Sequence, residues 1–237
     1  MKFYSRSILT IFHLVFVFLI FSSSAEERLF EHKGHMKGKF TIDRPPSNSK
    51  LGALVFFHGS GASDSYASGF AELSKLARKF KLTAISIQAP NGVITWAEKG
   101  PPSGRIQYAQ SLLETVAFGK EYDLDPNKTV FVGVSAGSTF IAGDFLPAYI
   151  DKYKGGAVLL CGGASPIYPT NLPTSISGFK MFSAIQQTDF LFGQSMAGID
   201  FWRSHGVLVK SIQPKGSGHC GFDIYENMKA GIKFILD

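Results

Sequence analysis

The chain carries little cysteine, two residues in 237, at Cys161 and Cys220. It has no dense run of Lys or Arg that could track a phosphate backbone, so nucleic acid is not an expected partner. Its formal charge of +6 includes Lys2 and Arg6. The remainder is only mildly basic. Internal repeats, low-complexity tracts, linkers and a second composition regime are all missing, which leaves one domain. No cluster of His, Asp or Cys has metal-ligand spacing. Gly59-Ser60-Gly61 lacks the downstream Gly-Lys-Ser/Thr of a phosphate loop, so neither a metal nor a cofactor is expected.

One long apolar run is present, and it stands at the start. Lys2 and Arg6 precede an apolar core from Ile8 to Phe21. Small residues Ser23-Ser24-Ala25 and acidic Glu26-Glu27 follow. This order reads as an export signal over residues 1–25, with an uncleaved anchor as the alternative. The expected address is therefore secreted or periplasmic, with no stable membrane insertion after cleavage and a monomeric mature chain. Oxidising surroundings allow two cysteines to bridge; two separate buried thiols are the alternative.

Residues 26–50 read as a lead-in containing an edge strand at His35–Ile42, and residues 51–237 as the catalytic domain. There, apolar runs at Leu54–Phe57, Thr83–Gln88, Thr129–Val134, Ala157–Leu160, Phe179–Ile185 and Val207–Ile212 predict strands. Amphipathic segments at Tyr66–Phe80, Arg105–Tyr122, Ser138–Tyr153, about Ser195–His205 and Phe222–Leu236 predict helices. Strands this apolar are expected where helices cover both faces of a mostly parallel sheet. The alternation implies a doubly wound α/β fold with its working residues at the carboxyl ends of the strands.

The run Thr129–Val134 drives into Gly133-Val134-Ser135-Ala136-Gly137, and residues able to form a helix follow at once. A serine hydroxyl attacks only when held proud of the backbone beside a base, and a sharp strand-to-helix turn does this. Asp189 follows the strand Phe179–Ile185, and His219 follows Val207–Ile212. The chain order Ser, Asp, His is that of the α/β-hydrolase arrangement. Ser135, His219 and Asp189 are thus the candidate nucleophile, base and orienting acid. Asp200 and Asp223 compete for the last role; His58 and His205 compete for the base. Phe57-His58-Gly59-Ser60-Gly61 resembles a His-Gly oxyanion loop, which points to the amides of Ser60 and Ala136 as oxyanion donors, with Gly61 as substitute. Cys161 ends the strand after the nucleophile helix and Cys220 adjoins His219, so both are steered to one rim of the sheet, where a disulfide is expected.

From Leu51 to Asp237 the chain resembles the α/β-hydrolase superfamily. Leu124-Asp125-Pro126 before the nucleophile strand, and Ala89-Pro90-Asn91-Gly92 followed by Trp96, look similar to the secreted polyhydroxybutyrate depolymerase and feruloyl esterase group. That group usually has an aromatic or histidine at position 134 and glycine at 138, where this chain has Val134 and Ser138. The resemblance implies hydrolysis of a small-molecule or polymeric ester through an acyl-serine, and makes Trp96 a substrate-wall candidate, with a half-buried anchor for a long loop as the equal alternative. Phe190, Ile167 and Tyr168 join it as apolar lining. The short Pro/Ser/Thr-rich segment between Gly162 and Gly178 leaves no room for a large cap. Other acyl-serine enzymes, such as a peptidase or acyltransferase, share the triad, and a non-catalytic binding protein of this fold is the remaining alternative.

Overall fold

The protein is described by a computed structural model over residues 25–47, 50–61, 64–96, 104–167, 172, 176 and 178–237. Apart from Ala25, the export signal expected from the sequence lies outside these residues, as does Tyr168. Among the described residues no helix is long and apolar enough to cross a membrane.

Eight short runs form one sheet: β1 (Glu26–His32), β2 (Met36–Asp43), β3 (Gly52–Phe57), β4 (Leu82–Ile87), β5 (Val130–Val134), β6 (Gly156–Leu160), β7 (Lys180–Ala184) and β8 (Leu208–Ile212). Side chains alternate across a strand, so β3 sends Ala53, Val55 and Phe57 to one face and Leu54 and Phe56 to the other. Both faces are covered. α1 (Phe70–Lys79) and α6 (Ile224–Leu236) bring Leu73, Leu76, Met228 and Ile232 against one side. α2 (Gly104–Leu112), α3 (Ala136–Phe140), α4 (Leu146–Tyr149) and α5 (Phe192–Ser204) bring Leu112, Phe140, Leu146 and Trp202 against the other. Each large aliphatic or aromatic side chain buried this way contributes about 1.5–3 kcal/mol before its entropy cost.

The strand order is β1-β2-β4-β3-β5-β6-β7-β8. All neighbours from β4 to β8 run parallel, whereas β1 and β2 join antiparallel. The chain steps from β3 outward to β4 and then returns to the far side of β3 for β5. Their carboxyl ends therefore flank the crevice where a doubly wound sheet opens. Register aligns the rim: Phe57 lies beside Gly133, Val134 beside Leu160, Leu160 beside Ala184, and Ala184 beside Ile212. The loops after these residues emerge at one level.

Three features differ from the sequence reading. The edge is β1, not the strand expected at His35–Ile42, which lies inside the sheet as β2 with β1 on its open side. β1 is a charged ribbon whose Arg28 pairs with Glu121 at 2.5 Å and whose Glu27 pairs with Lys39 at 2.8 Å. Such charge protects an edge from pairing with other chains and hides the strand from a hydrophobic pattern. α1 starts at Phe70 rather than Tyr66, because the preceding turn is pinned to the sheet. The Tyr66 hydroxyl donates to Glu27, and the Ser86 hydroxyl donates to the Tyr66 carbonyl. Finally, the helix after β5 is broken by a π-turn at Ile141–Phe145. Pro147 has no N–H to offer Gly143, and the Gly143 carbonyl instead accepts from the Ile167 amide at 3.1 Å.

Across the rim, Cys161 after β6 and Cys220 after β8 are joined by a disulfide with a Cα–Cα separation of 5.1 Å. Closing a loop across a sequence separation of 59 restricts the unfolded chain. In the chain-entropy description that is worth about 4 kcal/mol. Thiol titration of the denatured, unreduced protein is expected to find no free thiol, and reduction to lower the unfolding free energy by roughly that amount. Two titratable thiols in the unreduced protein would contradict the bridge.

Candidate active site

β5 runs into α3 through a turn only one residue long. At that turn Ser135 takes φ 52° and ψ −114°, outside the regions open to ordinary residues. Close approach explains the flanking glycines. A Cβ on Gly133 would lie 2.5 Å from the Ser138 nitrogen, and one on Gly137 would lie 2.0 Å from the Phe57 carbonyl oxygen. Neither position admits a side chain. The strained residue is tied at both ends: its amide donates to the Leu160 carbonyl at 2.8 Å, and its carbonyl accepts from the Thr139 amide at 3.0 Å. Ser138 is fully buried, its hydroxyl donating to the Leu160 carbonyl and accepting from the Leu160 amide, both at 2.9 Å. A serine at this position therefore rivets α3 to β6, which a glycine could not do.

The three residues singled out as a triad meet here. Ser135 Oγ lies 2.7 Å from His219 Nε2, and His219 Nδ1 lies 2.9 Å from each carboxylate oxygen of Asp189. The Asp189 side chain is wholly shielded from solvent, while the imidazole is about one-third exposed (30%). The Asp189 carboxylate also accepts from the amides of Leu191 at 2.9 Å and Cys220 at 3.3 Å. These bonds stabilise its charge and fix its direction. The serine hydroxyl can donate only to an unprotonated Nε2. With the carboxylate accepting at Nδ1, the Nδ1–H tautomer is the one that fits both contacts.

The competitors serve elsewhere. The Asp223 carboxylate accepts from the Glu226 amide at 2.9 Å as the N-cap of α6, and Asp200 is exposed beside Arg203. His205 caps the end of α5, its Nδ1 2.8 Å from the Phe201 carbonyl.

The loop after β3 lies directly against the turn. A Cβ on Gly59 would sit 3.4 Å from the Ser135 Cβ. His58 braces this loop from beneath: Nδ1–H donates to the Gly59 carbonyl at 2.7 Å, and Nε2 accepts from the Ala89 amide at 3.2 Å. Burial pushes its imidazole below the ordinary histidine range, which keeps the neutral form these bonds require. The Gly61 amide is already spent on the Ile94 carbonyl at 2.9 Å, so it is not the spare donor expected from the sequence. The amides of Ser60 and Ala136 remain the candidates on either side of Ser135.

Trp96 is a correction. It does not form a substrate wall but is fully buried, 4.9 Å from the Phe57 ring, 4.7 Å from Phe140 and 5.9 Å from His58. Its ring packs among aromatic rings, while its buried Nε1–H has no hydrogen-bond partner among the described residues. Phe190, by contrast, is 77% exposed with its ring 4.5 Å from the His219 ring, and Ile167 is half exposed over Gly143.

Two residues that sequence reasoning passed over hold the histidine loop. Buried Gln186 exchanges hydrogen bonds with both the amide and carbonyl of Gly221, at 3.2 and 3.3 Å, and the Thr188 hydroxyl accepts from the Gly218 amide at 3.2 Å. Their only sequence signal is position, between β7 and Asp189. Cys161, His219 and Cys220 bring ligand atoms within 4.8 Å of one another. Both sulfurs are consumed by their mutual bond and the imidazole by Ser135 and Asp189, so this trio is no metal site.

No protein-family model matches the sequence, and no curated protein sequence does either. Solved structures do. A Bacillus cereus carboxylesterase superposes with a TM-score of 0.64 at 21% identity, covering 84% of this chain and 93% of its own. Fungal esterases from Rhizomucor miehei give a TM-score of 0.66 at 17% identity, covering 90% and 82%. A Pyrobaculum calidifontis esterase gives 0.64 at 15% identity, covering 90% and 83%. Likeness at such identities is a likeness of fold: together with the strand order and the turn at Ser135, it establishes that this chain has the α/β-hydrolase fold.

Proposed function

We propose that this protein is a serine esterase that cleaves carboxylic esters through an acyl-serine intermediate. The observation that carries the reading is the unbroken relay from Ser135 Oγ through His219 to the buried Asp189 carboxylate, with contacts of 2.7 and 2.9 Å. His219 removes the Ser135 proton as Oγ attacks the ester carbonyl. It then delivers that proton to the departing alcohol. Asp189 keeps the imidazole in the required tautomer and stabilises its cation. The amides of Ser60 and Ala136 receive the oxyanion of the tetrahedral intermediate, a single such donor being worth about 3 kcal/mol at the transition state. Water, activated by His219 in the second half-reaction, releases the acid and restores Ser135.

The disulfide beside His219 fits an exported enzyme working in oxidising surroundings, as the first 25 residues suggest. Kinship with the polyhydroxybutyrate depolymerase and feruloyl esterase group draws support from two segments. Leu124 is buried, Asp125 caps the turn Pro126–Lys128 that feeds β5, and Ala89 donates to the brace His58. The buried Trp96 withdraws the substrate wall that this kinship would have supplied.

A fluorophosphonate probe is expected to label the protein at Ser135, and Ser135→Ala to abolish both labelling and turnover of p-nitrophenyl acetate. Loss of turnover should be on the order of 10⁴-fold or more, since triad members act as a unit. Labelling that persists on another serine in the variant would overturn the assignment. Asp189→Asn is expected to slow turnover by about 10⁴ with the fold intact. Asp223→Asn keeps a good helix cap and should alter the rate by no more than a few-fold. Steady-state rates for the two variants check this, and the reverse order would move the acid to Asp223.

A further inference from the structure

On the α1/α6 face of the sheet, where β3 and β5 end, lies an apolar chamber of about 390 Å³ whose wall includes none of the triad. Phe56 and Val134 come from the ends of β3 and β5, Leu73 from α1, and Ile224, Tyr225 and Met228 from the first turns of α6. The one charged side chain on its wall, Glu72, is tied to Lys75 at 2.8 Å. Its volume falls in the range of small-molecule sites, and its polar groups are few. Several of its walls are only partly covered apolar side chains, among them Phe56, Val134, Ile224 and Tyr225. An apolar surface left open in this way signals a ligand rather than a packed core.

Continuity says which ligand. The segments carrying Ser135, His58 and His219 run on into walls of this chamber, while the Asp189 segment does not. Val134 immediately precedes Ser135, Phe56 lies two residues before His58, and Ile224 follows His219 by five. Val134 thus sets one wall of this space against the backbone of Ser135. We propose that the chamber receives the linear hydrocarbon arm of the ester, so that the enzyme prefers aliphatic esters of several carbons over acetates or bulky aromatic acids. This rests on the reading of Ser135 as the ester-cleaving nucleophile.

The test uses two ester series on the mature protein: p-nitrophenyl esters of linear acids from acetate to octanoate, and acetates of linear alcohols from ethanol to octanol. In one series kcat/KM rises about fourfold for each CH₂ that enters the chamber. The series that rises identifies the arm as acyl or alcohol. Leu73→Trp fills the chamber and lowers the octyl-to-shortest ratio in that series at least tenfold, whereas Tyr225→Ala enlarges it and shifts the preference to longer chains. Either variant alone is decisive if the other fails to fold. Two flat series, or ratios that neither variant moves, overturn the proposal while leaving the esterase reading intact. Calorimetric titration of 1-octanol into Ser135→Ala, and into the same variant carrying Leu73→Trp, separates the two claims. Octanol binding that Leu73→Trp removes, with no ester turned over by the parent, retains the hydrocarbon site and refutes the ester chemistry.

Discussion

The backbone of Ser135 is the constraint on which the site depends. Its φ of 52° and ψ of −114° belong to a conformation that costs about 1–3 kcal/mol for a residue with a side chain. The cost is tolerable only because the surrounding structure leaves no alternative. β5 must end where its neighbours end, α3 must begin at once to cover the sheet, and the two approach so closely that Gly133 and Gly137 have no room for a Cβ. The bonds from the Ser135 amide and the Ser138 hydroxyl to Leu160 lock the turn to β6. The result is a hydroxyl lifted clear of the sheet, in a crevice produced by the order β4-β3-β5.

A hydroxyl fixed this firmly keeps its contact with an imidazole only if that ring is fixed equally well, yet His219 stands on a loop, not on a strand or helix. Three ties compensate. The buried Asp189 carboxylate holds Nδ1 and the Cys220 amide, Gln186 grips Gly221 from both sides, and the disulfide fastens Cys220 to the end of β6. All three anchor the loop to the neighbouring strand ends β6 and β7, whose register with β5 is set by the parallel ladder. The geometry between Ser135 and His219 is therefore inherited from the sheet. On the opposite side His58, kept neutral by burial, holds the Gly59–Ser60 loop by the same logic.

Much of this was legible in the sequence because strand runs such as Val130–Val134 are apolar on both faces and can be nothing but interior. The positions of Ser135 and Asp189 were legible for the same reason, each following such a strand, whereas His219 follows β8, a half-exposed edge strand. What escaped had no hydrophobic signature. β1 is stabilised by charge pairs and one ladder of backbone bonds, so its sequence reads as a polar lead-in. Gln186 acts through a pair of hydrogen bonds and Thr188 through one, all of which only tertiary geometry creates. The sequence leaves Trp96 open between a cleft wall and a buried anchor because an indole suits both equally well. Its actual place was decided by Phe57 and Phe140, residues distant in sequence. The chamber between α1 and α6 was invisible because its walls come from four separate elements.

Covalent acylation of Ser135, held in this turn, is the step on which the proposed chemistry rests. Mass spectrometry of the mature protein, acid-quenched during turnover of a p-nitrophenyl ester and digested, tests it most directly. An adduct of the acyl mass is expected on the peptide carrying Ser135, formed at the same rate as the burst of p-nitrophenol. An adduct on a different residue, or steady turnover with neither burst nor adduct in single-turnover mixing, would contradict it.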